Sequence, residues 1–146
     1  MKNYIIKEKG KNKMKDFTTL AKETLAKDKG FINNNNFEVI KVKENYCELD
    51  GIITQSSLNH IGIVHGGYIF GLADTAAGIA AMTNGGNVVT IDSTISYIKP
   101  AKGSRITAKA SAIKTGKTIS VFEVQITNEK EDLVAKATIT FYNIEN

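Results

Sequence analysis

Residues 66–84 constrain the fold more than any other stretch of the chain. Ile69, Leu72, Ala73, Ala76 and Ala80 fall at i, i+3, i+4, i+7 and i+11, one face of an α-helix. The other faces carry Phe70, Gly71, Ala77, Gly78, Ile79 and Ala81, which are also apolar or small. A helix that is apolar on every side has no face to give to solvent, so other elements must enclose it. Asn84-Gly85-Gly86 supplies the stop signal. The rest of the chain has to wrap that helix.

The flanks read as strands. Residues 37–43 and 46–54 form a hairpin turning near Glu44-Asn45, and residues 55–62 read as a loop. Beyond the helix, residues 88–98 run up to Pro100, the only proline, which cannot donate to a central ladder. Strands follow at 105–114, 118–128 and 133–142, with turns at Thr115-Gly116-Lys117 and 129–132. The last alternates cleanly, with Leu133, Ala135, Ala137, Ile139 and Phe141 on one side. Short turns between successive strands require antiparallel pairing. The expected fold class is therefore α+β, an antiparallel sheet wrapped around one long central helix.

At 146 residues the chain has room for one sizeable core and not two. Its 42% apolar and 23% charged residues are those of a globular protein. Residues 1–14 read as a frayed leader. Asp16 caps a short amphipathic helix to about Lys27, with Phe17, Leu20, Ala21 and Leu25 on one side, and Asn33-Asn34-Asn35-Asn36 reads as a turn or loop. The expected organisation is a lysine-rich leader with a short helix over 1–36, then one domain over 37–146. Residues 1–30 hold nine lysines and four acids, a net of +5, so the remainder carries −1 of the formal +4. The basic charge belongs to the leader, and no nucleic-acid partner is expected. Neither a membrane span nor a secretion signal is read, so no membrane partner is expected and the expected location is cytoplasmic. Cys47, the single cysteine, cannot form an internal disulfide, in keeping with a reducing compartment. It lies in an alternating stretch and reads as a small core or sheet residue, not a nucleophile.

Chemistry concentrates at the helix. Asp74 is the only ionisable acid or base between His65 and Asp92, and it sits mid-helix, where aspartate is a poor choice and cannot cap. Burying an unpaired carboxylate costs several kcal/mol or forces its pKa upward. Two readings stand: Asp74 faces solvent or makes a structural hydrogen bond across a subunit interface, or it is a general base or nucleophile in a partly dry pocket. His65-Gly66-Gly67 opens the helix, where backbone N–H groups are unsatisfied and glycines admit a ligand, a plausible oxyanion hole. His65 reads equally as a proton-transfer residue or as a loop histidine packed at the helix start. Asn59 either orients a water or carbonyl or forms a turn, and the Thr90 hydroxyl either reaches the pocket or simply suits a strand. No metal site is read from His60, His65 and the distant Cys47. No cofactor is read either, because phosphate-binding glycine loops, dinucleotide fingerprints and Ser-His-acid sets are missing.

The segments Asn59-His60-Ile61-Gly62-Ile63-Val64-His65-Gly66-Gly67 and Leu72-Ala73-Asp74-Thr75-Ala76 resemble the hotdog-fold thioesterases. Within these the chain is most similar to the phenylacetic-acid-degradation type, the PaaI-like acyl-CoA thioesterases. The similarity resumes at Thr90-Ile91-Asp92, at Ile95-Ser96-Tyr97-Ile98-Lys99-Pro100-Ala101-Lys102-Gly103, at Gly116-Lys117-Thr118 and at Leu133-Val134-Ala135. The resemblance implies hydrolysis of acyl-CoA to free acid and coenzyme A. It also implies a homodimer or homotetramer joined sheet edge to sheet edge, with active sites at the dimer interface. By position, Asp74 is the base that activates water, or the nucleophile itself. The Gly66 amide, with Gly67 as second donor, polarises the carbonyl; Asn59 and Thr90 hold the water; His65 shapes the site. Asp74 places the chain with the Asp-using branch, not with relatives that carry Glu. Gly71 and Gly78 depart from a pattern that often has bulkier residues, so the acyl-pocket shape does not carry over. Lys99, Lys102, Arg105 and Lys117 are candidates for the coenzyme A phosphates on charge alone. Two rivals share the architecture: a non-catalytic acyl-CoA sensor, and a hydratase or dehydratase that pairs a catalytic His with a carboxylate.

Overall fold

The Asp16 carboxylate accepts from the Thr19 N–H at 2.9 Å and caps α1 (Phe17–Leu25), as the sequence predicts. The computed structural model describes residues 16–144, so the predicted leader over 1–14 lies outside the described residues. The asparagine tract, read as a turn or loop, instead contributes to α2 (Phe31–Asn34), a one-turn helix. Asn36, at φ 55°, makes the left-handed step into β1 (Phe37–Lys43). A turn through Asn45, at φ 60°, leads to β2 (Tyr46–Ile52). Then come a 3₁₀ turn at Gln55–Ser57, α3 (Gly66–Met82), β3 (Asn87–Tyr97), β4 (Arg105–Thr115), β5 (Ile119–Asn128) and β6 (Leu133–Ile144).

All six strands form one antiparallel sheet in the order β1-β2-β4-β5-β6-β3. The expectation that successive strands pair holds for β1–β2, β4–β5 and β5–β6 and fails for β3–β4. Residues 98–104 instead carry the chain across the end of the sheet. Ile98 and Lys99 donate backbone N–H groups to the Val134 carbonyl at 2.8 and 3.1 Å, and Lys99 pairs with Asp132 at 3.3 Å. Ser104 then donates its N–H and its hydroxyl to Glu129. Those ties replace the direct β3–β4 ladder, and Pro100, which has no N–H to offer, sits in the crossing.

The sheet wraps α3, which packs chiefly on β4, β2 and β5. Leu72, Ala73, Ala76, Ala77 and Ala80 are fully buried. Facing them are alternate residues of the strands, among them Ile106, Ala108 and Ala110 on β4, Phe122, Val124 and Ile126 on β5, and Ala135, Ala137 and Ile139 on β6. Full burial of one large aliphatic side chain contributes about 1.5–3 kcal/mol. The helix is not covered all round, however: Phe70, Asp74, Thr75 and Gly78 are half-buried and Met82 is exposed, so one strip stays open. Among the described residues no helix is long and apolar enough to cross a membrane.

Outside β1, the Thr18 hydroxyl of α1 donates to the Val42 carbonyl at 3.0 Å and accepts from its N–H at 2.8 Å. One side chain thus pairs with both backbone groups on an otherwise open sheet edge. Cys47 is fully buried, and burial pushes its thiol up to about 12. It is a core residue, with no thiolate to offer at neutral pH.

Gly51 marks a close approach of helix and sheet. A Cβ there would meet the Tyr68 hydroxyl at 3.0 Å and Leu72 at 3.2 Å. Tyr68 has no room to yield, because its hydroxyl donates to the carbonyls of Asn35 at 2.8 Å and Ile52 at 2.9 Å. Gly51→Ala is expected to destabilise the fold by about 1–3 kcal/mol in urea unfolding. An unchanged midpoint would show that the helix sits farther off the sheet than described.

Candidate active site

The start of α3 is built by its own cap. His65 has extended backbone (φ −63°, ψ 136°), and its Nδ1 accepts from the Gly67 N–H at 2.8 Å. A ring nitrogen that accepts carries no proton, so the neutral ring holds its proton on Nε2. His65 is therefore the N-cap of the helix, the second of the two sequence readings. The same bond engages the Gly67 N–H, the expected second oxyanion donor. The Gly66 N–H has no acceptor among the described residues. The Gly66 carbonyl accepts from the Tyr97 hydroxyl at 2.8 Å. The peptide between Gly66 and Gly67 is thus clamped through both its oxygen and its N–H, which fixes the adjoining Gly66 amide at the positive end of the helix dipole.

Asn59 organises the preceding loop. Its Oδ1 accepts from the N–H groups of Ile61 at 3.1 Å and Ile63 at 3.3 Å, and its own N–H donates to the Ile63 carbonyl at 2.8 Å. The turn-forming reading is the one this oxygen satisfies. Its Nδ2 has no acceptor among the described residues, and Asn59 lines a cavity of about 310 Å³ together with Gly66, Ile69, Tyr97, Ile98 and Lys99. Asn59 and Gly66 are therefore brought together, with two polar donors set in a largely apolar wall.

Asp74 lies elsewhere, on the open strip of α3. The Thr90 hydroxyl donates to its Oδ1 at 2.7 Å, and Oδ2 takes no hydrogen bond from a described residue. A charge-assisted bond of this length holds the carboxylate in one orientation. The neighbouring hydroxyl of Thr75 is spent on the Gly71 carbonyl at 2.7 Å, within the helix. Within one chain, Thr90 is thus a partner of Asp74, and Asn59 lies with Gly66. Asp74 and Gly66 are eight residues apart on one helix, about 12 Å along its axis. No single carbonyl reaches both within one chain. Of the basic candidates, Lys99 pairs with Asp132, and Arg105 lies 3.7 Å from Asp50.

Sequence reasoning missed Tyr97 as a site residue, and the reason is a bulge. The register of β3 on β6 shifts between Thr90 and Asp92. Before the shift Thr90 lies opposite the buried Phe141, so even-numbered residues face α3; after it Ser93, Ile95 and Tyr97 lie opposite Ile139, Ala137 and Ala135, and odd-numbered residues do. The extra residue lets Thr90 and Tyr97 reach the same helix from one strand, although seven residues would normally put them on opposite faces. Burial of its hydroxyl end pushes the Tyr97 phenol above its ordinary pKa, so it remains a donor. The available signal was the break in alternation at Thr90-Ile91-Asp92.

Comparison with known proteins identifies the family and the fold. The chain matches the family model described as thioesterase superfamily over residues 61–135. It is similar to the acyl-coenzyme A thioesterase PaaI of Escherichia coli (strain K12), 31% identical over 99 residues that cover 67% of this chain and 71% of that protein. Among solved structures it is similar to the E. coli PaaI protein from the phenylacetic acid degradation operon. That match has a TM-score of 0.83 at 24% identity, covers 89% of this chain and 95% of that one, and speaks for the fold. A hypothetical thioesterase protein with coenzyme A from Streptococcus pneumoniae TIGR4 matches at 34% identity and TM-score 0.73, over 76% of this chain and 88% of that one.

The cap makes its own prediction. His65→Ala should lower stability by about 1 kcal/mol, the usual worth of an N-cap. It should also speed hydrogen exchange at the Gly67 N–H while leaving mid-helix amides such as Ala73 protected. If the Gly67 rate stays at its wild-type value, the ring nitrogen is not the acceptor.

Proposed function

The chain belongs to the thioesterase superfamily, in its hotdog-fold, PaaI-like branch, and we propose that it hydrolyses acyl-coenzyme A at a site shared between two copies. It is a thioester hydrolase. The observation that carries the acyl-CoA mechanism is the Asp74 carboxylate on the open strip of an otherwise apolar helix, with Thr90 holding one oxygen at 2.7 Å. The free oxygen of such a group is placed to take a proton from water.

The attacking water oxygen bonds to the thioester carbon as its proton passes to Asp74. The carbonyl electron pair moves onto oxygen, where the Gly66 N–H of a second copy receives the developing charge. Collapse of the tetrahedral intermediate breaks the C–S bond, and the thiolate leaves, taking up a proton to give the free thiol and the free acid. Asn59 acts from the same side as Gly66, its Nδ2 directed at the carbonyl or at the water. Tyr97 and His65 position the amide through their bonds to the Gly66–Gly67 peptide. Coenzyme A as the thiol half is supported by the S. pneumoniae relative that holds it.

The requirement for a second copy follows from the roughly 12 Å between Asp74 and its own Gly66. The outer edge of β3 suits such a pairing. It is an eleven-residue edge strand with Val89, Ile91 and Tyr97 exposed.

Asp74→Asn keeps an acceptor for Thr90 and the side-chain volume while removing the base. It should lower kcat against acyl-CoA by about 10²–10⁴-fold, measured by release of free thiol. Full activity in a folded variant sinks the mechanism. Sharing of the site has a separate test. Gly66→Pro removes the proposed donor at the first helical position, where proline is otherwise accepted. Refolding a 1:1 mixture of the inactive Asp74→Asn and Gly66→Pro chains should restore roughly a quarter of wild-type activity, since half the dimers are mixed and each has one intact site. No recovery would place both groups in one chain's site.

A further inference from the structure

We propose that an apolar chamber beneath α1 receives the hydrocarbon end of the acyl group, so that residues of α1 set the preferred chain length; this rests on the acyl-CoA reading above. The chamber, about 240 Å³, lies between α1 and the C-terminal half of α3. Its walls include Phe17, Leu20, Ala21 and Leu25 from α1 and Ile79 and Met82 from α3. Thr24, Thr83 and Asn87 also line it, but apolar side chains predominate, and such walls favour an alkyl ligand.

Its position on α3 ties it to the carboxylate. Asp74, Gly78 and Met82 follow one another at four-residue steps, the spacing that stacks residues along one helix face. All three lie on the strip the sheet leaves open. Gly78 contributes no side chain, and a Cβ there would find only the Phe141 ring, at 3.9 Å. Gly78 thus leaves the middle of the strip clear of its own side chain, with Asp74 on one side of it and the chamber on the other.

Length then selects the substrate. Eight residues of helix separate Asp74 from Met82, about 12 Å. Single carbon–carbon bonds of roughly 1.5 Å advance an extended chain by about 1.3 Å per methylene. An acyl group of about ten carbons spans from a carbonyl at Asp74 into the chamber, while a four-carbon group, advancing about 4 Å, ends short of Gly78. Each methylene that enters the chamber should raise transition-state binding by about fourfold. α1, which docks on β1 through Thr18 and Val42, is thereby a wall of the acyl site.

The test is kcat/KM for a series from butyryl-CoA to decanoyl-CoA and longer, on the wild-type chain and on two variants that act in opposite directions. Wild type should favour decanoyl- over butyryl-CoA. Ala21→Phe, which narrows the chamber, should lower the decanoyl-to-butyryl ratio by about tenfold or more. Leu25→Ala, which widens it, should move the optimum to longer chains, and it keeps the proposal exposed where the phenylalanine variant does not fold. Hydrolysis whose chain-length profile neither folded variant moves overturns the chamber and leaves the reaction standing. A wild-type preference for butyryl-CoA overturns it as well. Failure to hydrolyse any acyl-CoA sinks the reaction itself, and the chamber with it.

Discussion

The near contact between α3 and the sheet decides where everything else in this molecule sits. Alanines line the buried face of the helix, and alanines at 108, 110, 135 and 137 line the strands beneath it. Gly51 lies where even one more methyl would press on Tyr68 and Leu72. Little side chain separates the two layers, so the sheet can curl far around the helix, and the large residues Phe122, Ile126, Ile139 and Phe141 fill the space that remains. What the sheet cannot cover is a single strip. Asp74 falls on that strip, which turns an awkward buried charge into a half-exposed group with a hydroxyl partner.

The second organising element is the one-residue shift in β3. Sheets alternate strictly, so a strand that serves a helix at two points an odd number of residues apart must lose its register between them. The shift between Thr90 and Asp92 does this. It sends Thr90 to the carboxylate and Tyr97 to the Gly66 carbonyl, two helical turns away. One strand thus fixes both the carboxylate and the amide, and the distance between them is locked to the pitch of α3 rather than to the conformation of a loop. Loop 59–63 needs its own internal bonding from Asn59 because it has no such strand to lean on.

Much of this was legible in the sequence because it depends on periodicity. The all-round apolar pattern of residues 66–84 gave the enclosed helix, the alternation at 133–142 gave β6, and the cap at Asp16 gave α1. Asp74 stood out because nothing local favours it. The strand order was less accessible, since the β3–β4 crossing is held by bonds such as Ser104 to Glu129 that no pattern records. Tyr97 was hidden by the bulge, because a strict two-residue period puts it on the wrong face. The role of His65 could not be read from the tripeptide, since a cap and a proton carrier need the same residue in the same place. Only the 2.8 Å bond to the Gly67 N–H separates them.

On the mechanism proposed, helix geometry also explains why chemistry on this scaffold would be tied to assembly. Unsatisfied N–H groups exist only in the first turn of a helix, and here the cap consumes one of them. A carboxylate in the same first turn would compete for those amides and quench them, so the base has to lie farther along. At Asp74 it is two turns away, too far to share a carbonyl with its own amide. On that mechanism a second helix supplies the missing half, and a two-fold axis would do so twice, giving each copy's carboxylate to the other's amide. On the mechanism proposed, dissociation separates base from oxyanion donor without unfolding either chain, so activity should follow the concentration of assembled protein while the fold of each copy persists.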